Sequence, residues 1–280
     1  MSIKINNMSI RIRPSAVDSF YGCAYQWGKT FLEGTSSIPN SRAAIGTAIH
    51  AGIEASWRDA MAHGKANHNL SAMSDAAVSS FKEETANGCS FGNDETVNTC
   101  HVEIIGGIKA WVEDIAPFVP VPEAVETFLK VDIQNHPFVS EVGGTLDYLG
   151  HGVIDDVKTS KRKVTGSSYD TQQAIYKYLA EANGHQVLHS RLQNVVLTKS
   201  PAGQILTIEP NVGKAKSLVN GMLDVLELVA KDIVPIELLL RGNPKYTFCS
   251  DKYCAHYDNC PWVRGKVAEP RKADIAAIKL

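Results

Sequence analysis

The segment Gly144-Thr145-Leu146-Asp147 through Asp155-Asp156-Val157-Lys158 sets two carboxylates and an ammonium at spacings that suit hydrolysis. Successive side chains of a strand point to opposite faces, so Asp156 and Lys158 share one face and Val157 takes the other. Asp147 belongs to the preceding strand of the same expected hairpin, near enough to converge on Asp156. Two carboxylates can hold a hard divalent cation such as Mg2+ or Mn2+ through oxygen. A neighbouring ammonium can orient an attacking water or neutralise charge building on a phosphate. Asp-x-Lys is also a common triplet, and a hairpin that merely ends in polar residues would carry it. Two further pairs, His50 with Glu54 and Gln172 with Tyr176, are spaced i and i+4, so each lies on one helical face. Taken alone, each pair also suits an ordinary helix, the second with Ile175 and Leu179 buried.

Cysteine chemistry is concentrated at the other end. Cys249-x4-Cys254-x5-Cys260 is a tight thiolate cluster followed by Pro261. Three ligands leave a tetrahedral site incomplete, and Cys23 can supply the fourth if the first helix packs against this segment. His256 is the other available donor. Zn2+ and iron–sulfur clusters both accept four thiolates, although the paired Cys-x-x-Cys knuckles of a zinc ribbon are missing. Cys89 and Cys100 fall outside the pattern and read as ordinary cysteines.

The elements that must position these groups follow from periodicity. Val17, Phe20, Tyr21, Ala24, Trp27 and Phe31 recur at helical spacing, predicting one helix over 15–33 with Gly34 as its stop. Helices are expected over 42–62, 74–86 and 94–116. The period then changes to two, predicting strands near 125–133, 138–149 and 152–158, with Gly150-His151-Gly152 as a turn. A helix over 170–182, strands near 187–198 and 203–209 and a helix over 212–232 complete the order. That succession predicts an α/β fold with a mixed central sheet flanked by helices.

With 280 residues, 44% of them hydrophobic, the chain can bury a sizeable core, and global disorder is excluded. No stretch approaches the ~18 apolar residues of a membrane span. The first fifteen residues lack the apolar run of a secretory signal. A cytoplasmic protein with reduced cysteines is expected. The formal net charge of −2 hides segregation: residues 41–120 carry ten acids and five bases, residues 241–280 eight bases and four acids. Lys158, Lys161, Arg162 and Lys163 put four bases within six positions. Such segregation suits a polyanion touching one face, although a charge run also reads as a solvated surface.

Taken in order, Gly46-Thr-Ala-Ile-His50, Gly144-Thr-Leu-Asp147, Asp156-x-Lys158-Thr and Gln172-x-x-x-Tyr176 resemble the PD-(D/E)xK nuclease superfamily, specifically its RecB-like branch, over residues 13–262. The resemblance implies a restriction-endonuclease-like core and a single nuclease domain over 1–280. Within it, 12–120 form a helical block with the His motif, 121–210 the catalytic sheet and Gln/Tyr helix, and 211–280 a C-terminal helix and cysteine segment. It implies that His50, Asp147 and Asp156 bind Mg2+ or Mn2+, with the Val157 carbonyl joining them. Lys158 then assists the nucleophilic water, and Gln172 and Tyr176 support the site. Glu126 is a supporting acid. The residue before the second acid is ordinarily apolar in such proteins. Asp155 departs from that, so its face is partly solvated or the strand register differs by one, with Asp155 as the alternative ligand.

The cysteine spacing resembles the iron–sulfur branch, found in AddB-type helicase–nuclease subunits and nucleases of CRISPR adaptation. It implies a [4Fe-4S] cluster on Cys23, Cys249, Cys254 and Cys260 that staples the chain ends, with Ala24 departing from the usual proline. The function implied is a metal-dependent DNA nuclease, foremost an exonuclease on single-stranded ends that leaves 5′-phosphates. Lys161, Arg162 and Lys163 would contact the DNA backbone, and unwinding would need a helicase or recombination partner. An endonuclease or nickase of the same fold, and a non-catalytic DNA-binding subunit, are the alternatives.

Overall fold

The computed structural model describes residues 9–34, 38–231, 233, 235–251 and 253–263. In chain order the elements are β1 (Ile10–Ile12), α1 (Pro14–Gly22), α2 (Ala24–Phe31), α3 (Ser41–His63), α4 (Leu70–Thr85), α5 (Val97–Asp114), β2 (Ala124–Asp132), β3 (Val139–Gly150), β4 (Val153–Ser160), α6 (Asp170–Ala182), β5 (His189–Val196), β6 (Ala202–Ile208), α7 (Val212–Ala230) and α8 (Ile236–Leu239). The described residues divide into a larger unit, Ile38–Asp132 with Glu141–Ser217, and a smaller one drawn from Met1–Ser37, Ile133–Ser140 and Leu218–Leu280. The expected α/β class with a mixed sheet holds.

In the larger unit β2, β3, β4, β5 and β6 lie side by side. Every pairing is antiparallel except β4 with β5, which is parallel. That parallel step requires a crossover, and α6 supplies it. The β3–β4 hairpin closes through His151 and Gly152, both at positive φ (54° and 72°), the backbone a two-residue type I′ turn demands. One face of the sheet packs on the helical block. Ile45, Ile49 and Ile53 of α3 bury against Trp111 of α5, Tyr148 of β3 and Val157 of β4. Asn40 caps α3 by accepting the Ala43 amide, and Gly64, left-handed at φ 64°, ends it. Thr96 and Thr99 form a reciprocal capping box on α5.

The smaller unit departs from expectation. The single helix predicted over 15–33 is two, because Cys23 is extended (φ −153°, ψ 91°), ending α1 and starting α2. The break follows Gly22, a poor helix former, against which the Tyr246 ring packs so closely that a Cβ would lie 2.2 Å from it. Asn243 donates to the Gly22 carbonyl at 2.9 Å and holds the break. The helical period of the apolar residues hid this, since Phe20 and Trp27 still meet edge to face with ring centroids 5.2 Å apart. No helix among the described residues is long and apolar enough to cross a membrane.

Gly52 shows how closely α3 approaches its neighbours. A Cβ there would lie 2.6 Å from Ile108 Cδ1 and 2.7 Å from the Met73 carbonyl oxygen of α4. Alanine ordinarily favours a helix interior by about 1 kcal/mol over glycine. Here the backbone contact reverses the sign, and Gly52→Ala is expected to cost about 1–3 kcal/mol in urea unfolding.

Candidate active site

The site arises where two strands part. β3 and β4 pair only through Tyr148–Asp155, Leu149–Ile154 and Gly150–Val153. Beyond that point the ladder stops, and the Val157 N–H donates instead to Asp147 Oδ2 at 2.6 Å. Alternation then puts Asp156 and Lys158 on one face, while Val157 enters the helical core on the other. Lys158 Nζ lies 2.6 Å from Asp156 Oδ2. The ammonium therefore ion-pairs this buried oxygen directly. Gln172 of α6 donates to Asp156 Oδ1 at 3.3 Å and to the Tyr176 hydroxyl at 3.4 Å. From α3, His50 brings Nδ1 within 3.5 Å of Asp147 Oδ2. His50, Asp147, Asp156, Val157, Lys158, Gln172 and Tyr176 are thus gathered at one place.

Charge is crowded here. Burial, and then the neighbouring carboxylate, push Asp156 up to about 6 against the Lys158 charge. Burial raises Asp147 likewise to about 6, although Lys158 and the Val157 amide favour its ionised form. Burial works against the Lys158 ammonium, but Asp156 and Asp147 outweigh it and hold that pKa above its ordinary value. Desolvation and the Lys158 charge lower His50 to about 4, so its ring is neutral and a lone pair is available. Glu126 joins the cluster more closely than its sequence position indicates. The pairs Val125–Tyr148 and Thr127–Leu146 bracket it opposite Asp147. Its φ of 49° is rare for a residue with a Cβ. Burial, Asp147 and Glu54 raise it to about 7.

Asp155 is no rival to Asp156. It points to the opposite face and is buried, with Arg191 donating to it from Nε at 2.7 Å and from Nη2 at 2.6 Å, and Gln193 Nε2 at 2.8 Å. The face is neither solvated nor out of register: Arg191, one strand over, compensates the charge. Lys161 also differs from expectation, since it is ion-paired with Glu103, which also binds Arg42 at 2.6 Å. Arg162 and Lys163 make no ion pair among the described residues. Tyr169 was not singled out in the sequence, yet its ring centroid stands 5.7 Å from Lys158 Nζ. Its only sequence signal is its place three residues before Gln172.

Four free cysteines line one pocket of the smaller unit, Cys23, Cys249, Cys254 and Cys260, beside Tyr25 and Trp262. Burial, and then the neighbouring sulfurs, push the Cys249 and Cys254 thiols up. Among the described residues no three His, Cys, Asp or Glu side chains stand in the geometry of a metal cage, here or at the strand split. The donor sets nonetheless fit. The strand split offers two buried carboxylates and a neutral imidazole, and the cysteine pocket offers four soft donors.

The profile of the PD-(D/E)XK nuclease superfamily matches residues 11–261. The chain belongs to that superfamily. Among solved structures it is similar to a protein from Eubacterium rectale described as a candidate exonuclease, with TM-score 0.57 and 13% identity over 96% of this chain and 94% of that one. Another, SSO0001, aligns over 49% of this chain and 59% of its own at TM-score 0.32 and 15% identity, too low to carry an argument. No curated protein matches the chain.

The raised carboxylates set a pH dependence for the metal-free nuclease fold. With Asp147 and Asp156 near 6 against 3.8, and Glu126 near 7 against 4.5, the folded state holds more protons than the unfolded one. Stability therefore falls as pH rises from about 4 to about 7. His50, near 4 against 6.5, opposes this by one proton against three. Asp156→Asn is expected to raise the melting temperature of metal-free protein at about pH 7.5 and not at about pH 4. Thermal melts of the two proteins at both pH values check it.

Proposed function

We propose that this nuclease-superfamily member is a Mg2+- or Mn2+-dependent deoxyribonuclease of the RecB-like branch, acting as an exonuclease on single-stranded ends. The observation that carries the reading is the meeting of Asp147, Asp156, Lys158 and His50 where β3 and β4 part. The description of the Eubacterium rectale protein favours an exonuclease. Asp147, Asp156 and neutral His50, with the Val157 carbonyl, would hold a divalent ion, whose Lewis acidity serves phosphodiester hydrolysis. Lys158 orients the attacking water and offsets charge on the phosphate. Gln172, hydrogen-bonded to both Asp156 and Tyr176, fixes the carboxylate against α6. Arg162 and Lys163 contact backbone phosphates, with Lys161 contributing less because Glu103 already neutralises it. Residues 1–280 act as one nuclease, and duplex DNA is opened by a helicase or recombination partner.

The test is digestion of 5′- and 3′-labelled single- and double-stranded DNA with Mn2+ or Mg2+, using protein purified without oxygen. Asp156→Ala and Lys158→Ala are each expected to reduce cleavage by at least ~10²-fold. The label released first gives the polarity. Internal cuts in circular single strands would identify an endonuclease instead, and no cleavage by folded wild type would favour a DNA-binding subunit.

A [4Fe-4S] cluster on Cys23, Cys249, Cys254 and Cys260 completes the reading, supported by four thiols lining one pocket. Four thiolates are a full ligand set for such a cluster, and closing residues far apart in sequence stabilises the fold. The oxidised protein should be brown, with broad absorption near ~400 nm and about four irons per chain. Cys23→Ser should lose both colour and thermal stability, whereas Cys89→Ser should lose neither. Zinc in place of iron on elemental analysis would reassign the pocket.

A further inference from the structure

The connection from β4 to α6 is built as a fixed ledge. At its start the Ser160 hydroxyl lies 2.5 Å from the Arg162 carbonyl and 3.0 Å from Asn194 Oδ1 on β5. In its middle, Gln204 of β6 accepts the Val164 N–H at 3.1 Å and donates to the Val164 carbonyl at 3.2 Å. Near its end, the Thr165 hydroxyl lies 3.1 Å from that of Ser167, and Gly166 packs beside Ile208 of β6. Such a segment presents its side chains in set positions. It offers two cations without an ion pair among the described residues, Arg162 and Lys163, and ends in Tyr169, whose half-buried ring faces the Lys158 ammonium.

We propose that this ledge, residues 161–169, is a guide for single-stranded DNA. Tyr169 stacks on the base adjoining the scissile phosphate, and Arg162 and Lys163 grip phosphates farther along the strand. Cations that track a backbone, combined with an aromatic platform, are the means by which proteins hold unpaired nucleic acid without reading its sequence. A paired base keeps its faces stacked within the duplex, so a single aromatic platform favours a single strand. The position of Tyr169 beside Lys158 puts that preference at the cleavage site. The inference rests on the nuclease reading for where the scissile phosphate lies.

The test is a cycle of Tyr169 variants against oligonucleotides carrying one abasic nucleotide, its position scanned along the strand. Binding is read by fluorescence anisotropy in Ca2+, and cleavage separately in Mn2+. Tyr169→Ala and Tyr169→Leu are expected to weaken the intact single strand by roughly ten-fold or more, the scale of one lost base–aromatic stack. Tyr169→Phe keeps the ring and should restore binding. At one abasic position wild type should show that same loss and Tyr169→Ala no additional loss, because the two changes remove one interaction. Equal losses from Tyr169→Ala on intact and abasic strands at every position would overturn the stacking role and leave a ring that only packs against Lys158. Arg162→Glu with Lys163→Glu should lower the salt dependence of binding by roughly 0.7 per lost phosphate contact. An unchanged slope would remove both residues from the guide. If binding follows the cycle but wild type cuts nothing, the nuclease reading fails while the guide stands.

Discussion

A single hydrogen bond organises the active face: the Asp147 carboxylate receives the Val157 N–H at 2.6 Å. Antiparallel strands normally satisfy each other's amides, and a buried amide without a partner costs about as much as a lost hydrogen bond. By substituting for the missing ladder, the Asp147 side chain allows β3 and β4 to separate without leaving that amide bare. The separation creates the space into which Asp156, Lys158 and His50 converge. The group that opens the site is therefore also one of its candidate ligands, so losing the Asp147 carboxylate would affect the backbone as well as the charge.

The opening leaves acids close together and mostly out of water. Asp147, Asp156 and Glu126 are all raised, first by burial, and Lys158 is the cation that faces the two aspartates directly. Such an arrangement disfavours the folded state at neutral pH unless a further positive charge arrives. A divalent cation would meet that need, and the neighbouring Asp147 and Asp156 carboxylates are the kind of hard oxygen ligands it takes. The positive φ of Glu126 belongs to the same compromise, since the backbone opposite Asp147 is held in a sparsely populated conformation.

Much of this was legible in the sequence because periodicity reports burial. Period-two alternation located β2, β3 and β4, and helical spacing located α3 and α6, so the faces of His50, Gln172 and Tyr176 followed. What escaped depends on long-range contacts. Nothing local to Gly22-Cys23 shows that the Tyr246 ring will press on the glycine and break the helix. The capture of Lys161 by Glu103 joins residues 58 positions apart, and a run of bases looks uniform until such a partner is known. Tyr169 lies on an irregular segment, where no period marks a side chain as facing anything.

Adjacent acids on β4 meet opposite fates because a strand has two faces. Asp155 is as buried as Asp156, but parallel pairing with β5 sets Arg191 directly beside it. Two guanidinium hydrogen bonds and one from Gln193 satisfy its oxygens, and Gln193 in turn accepts from Trp111 Nε1 at 2.8 Å. Removing one partner of such a buried pair typically costs about 3–5 kcal/mol, so the network fastens β4 to β5 and to α5 from behind. Fastened on that side, β4 can leave its other face incompletely satisfied. An apolar residue at 155 would fill the helical side without ionic cross-links to β5. In this chain the charged pair does that work, and the rigidity of β4 beneath the site follows from a residue that never faces it.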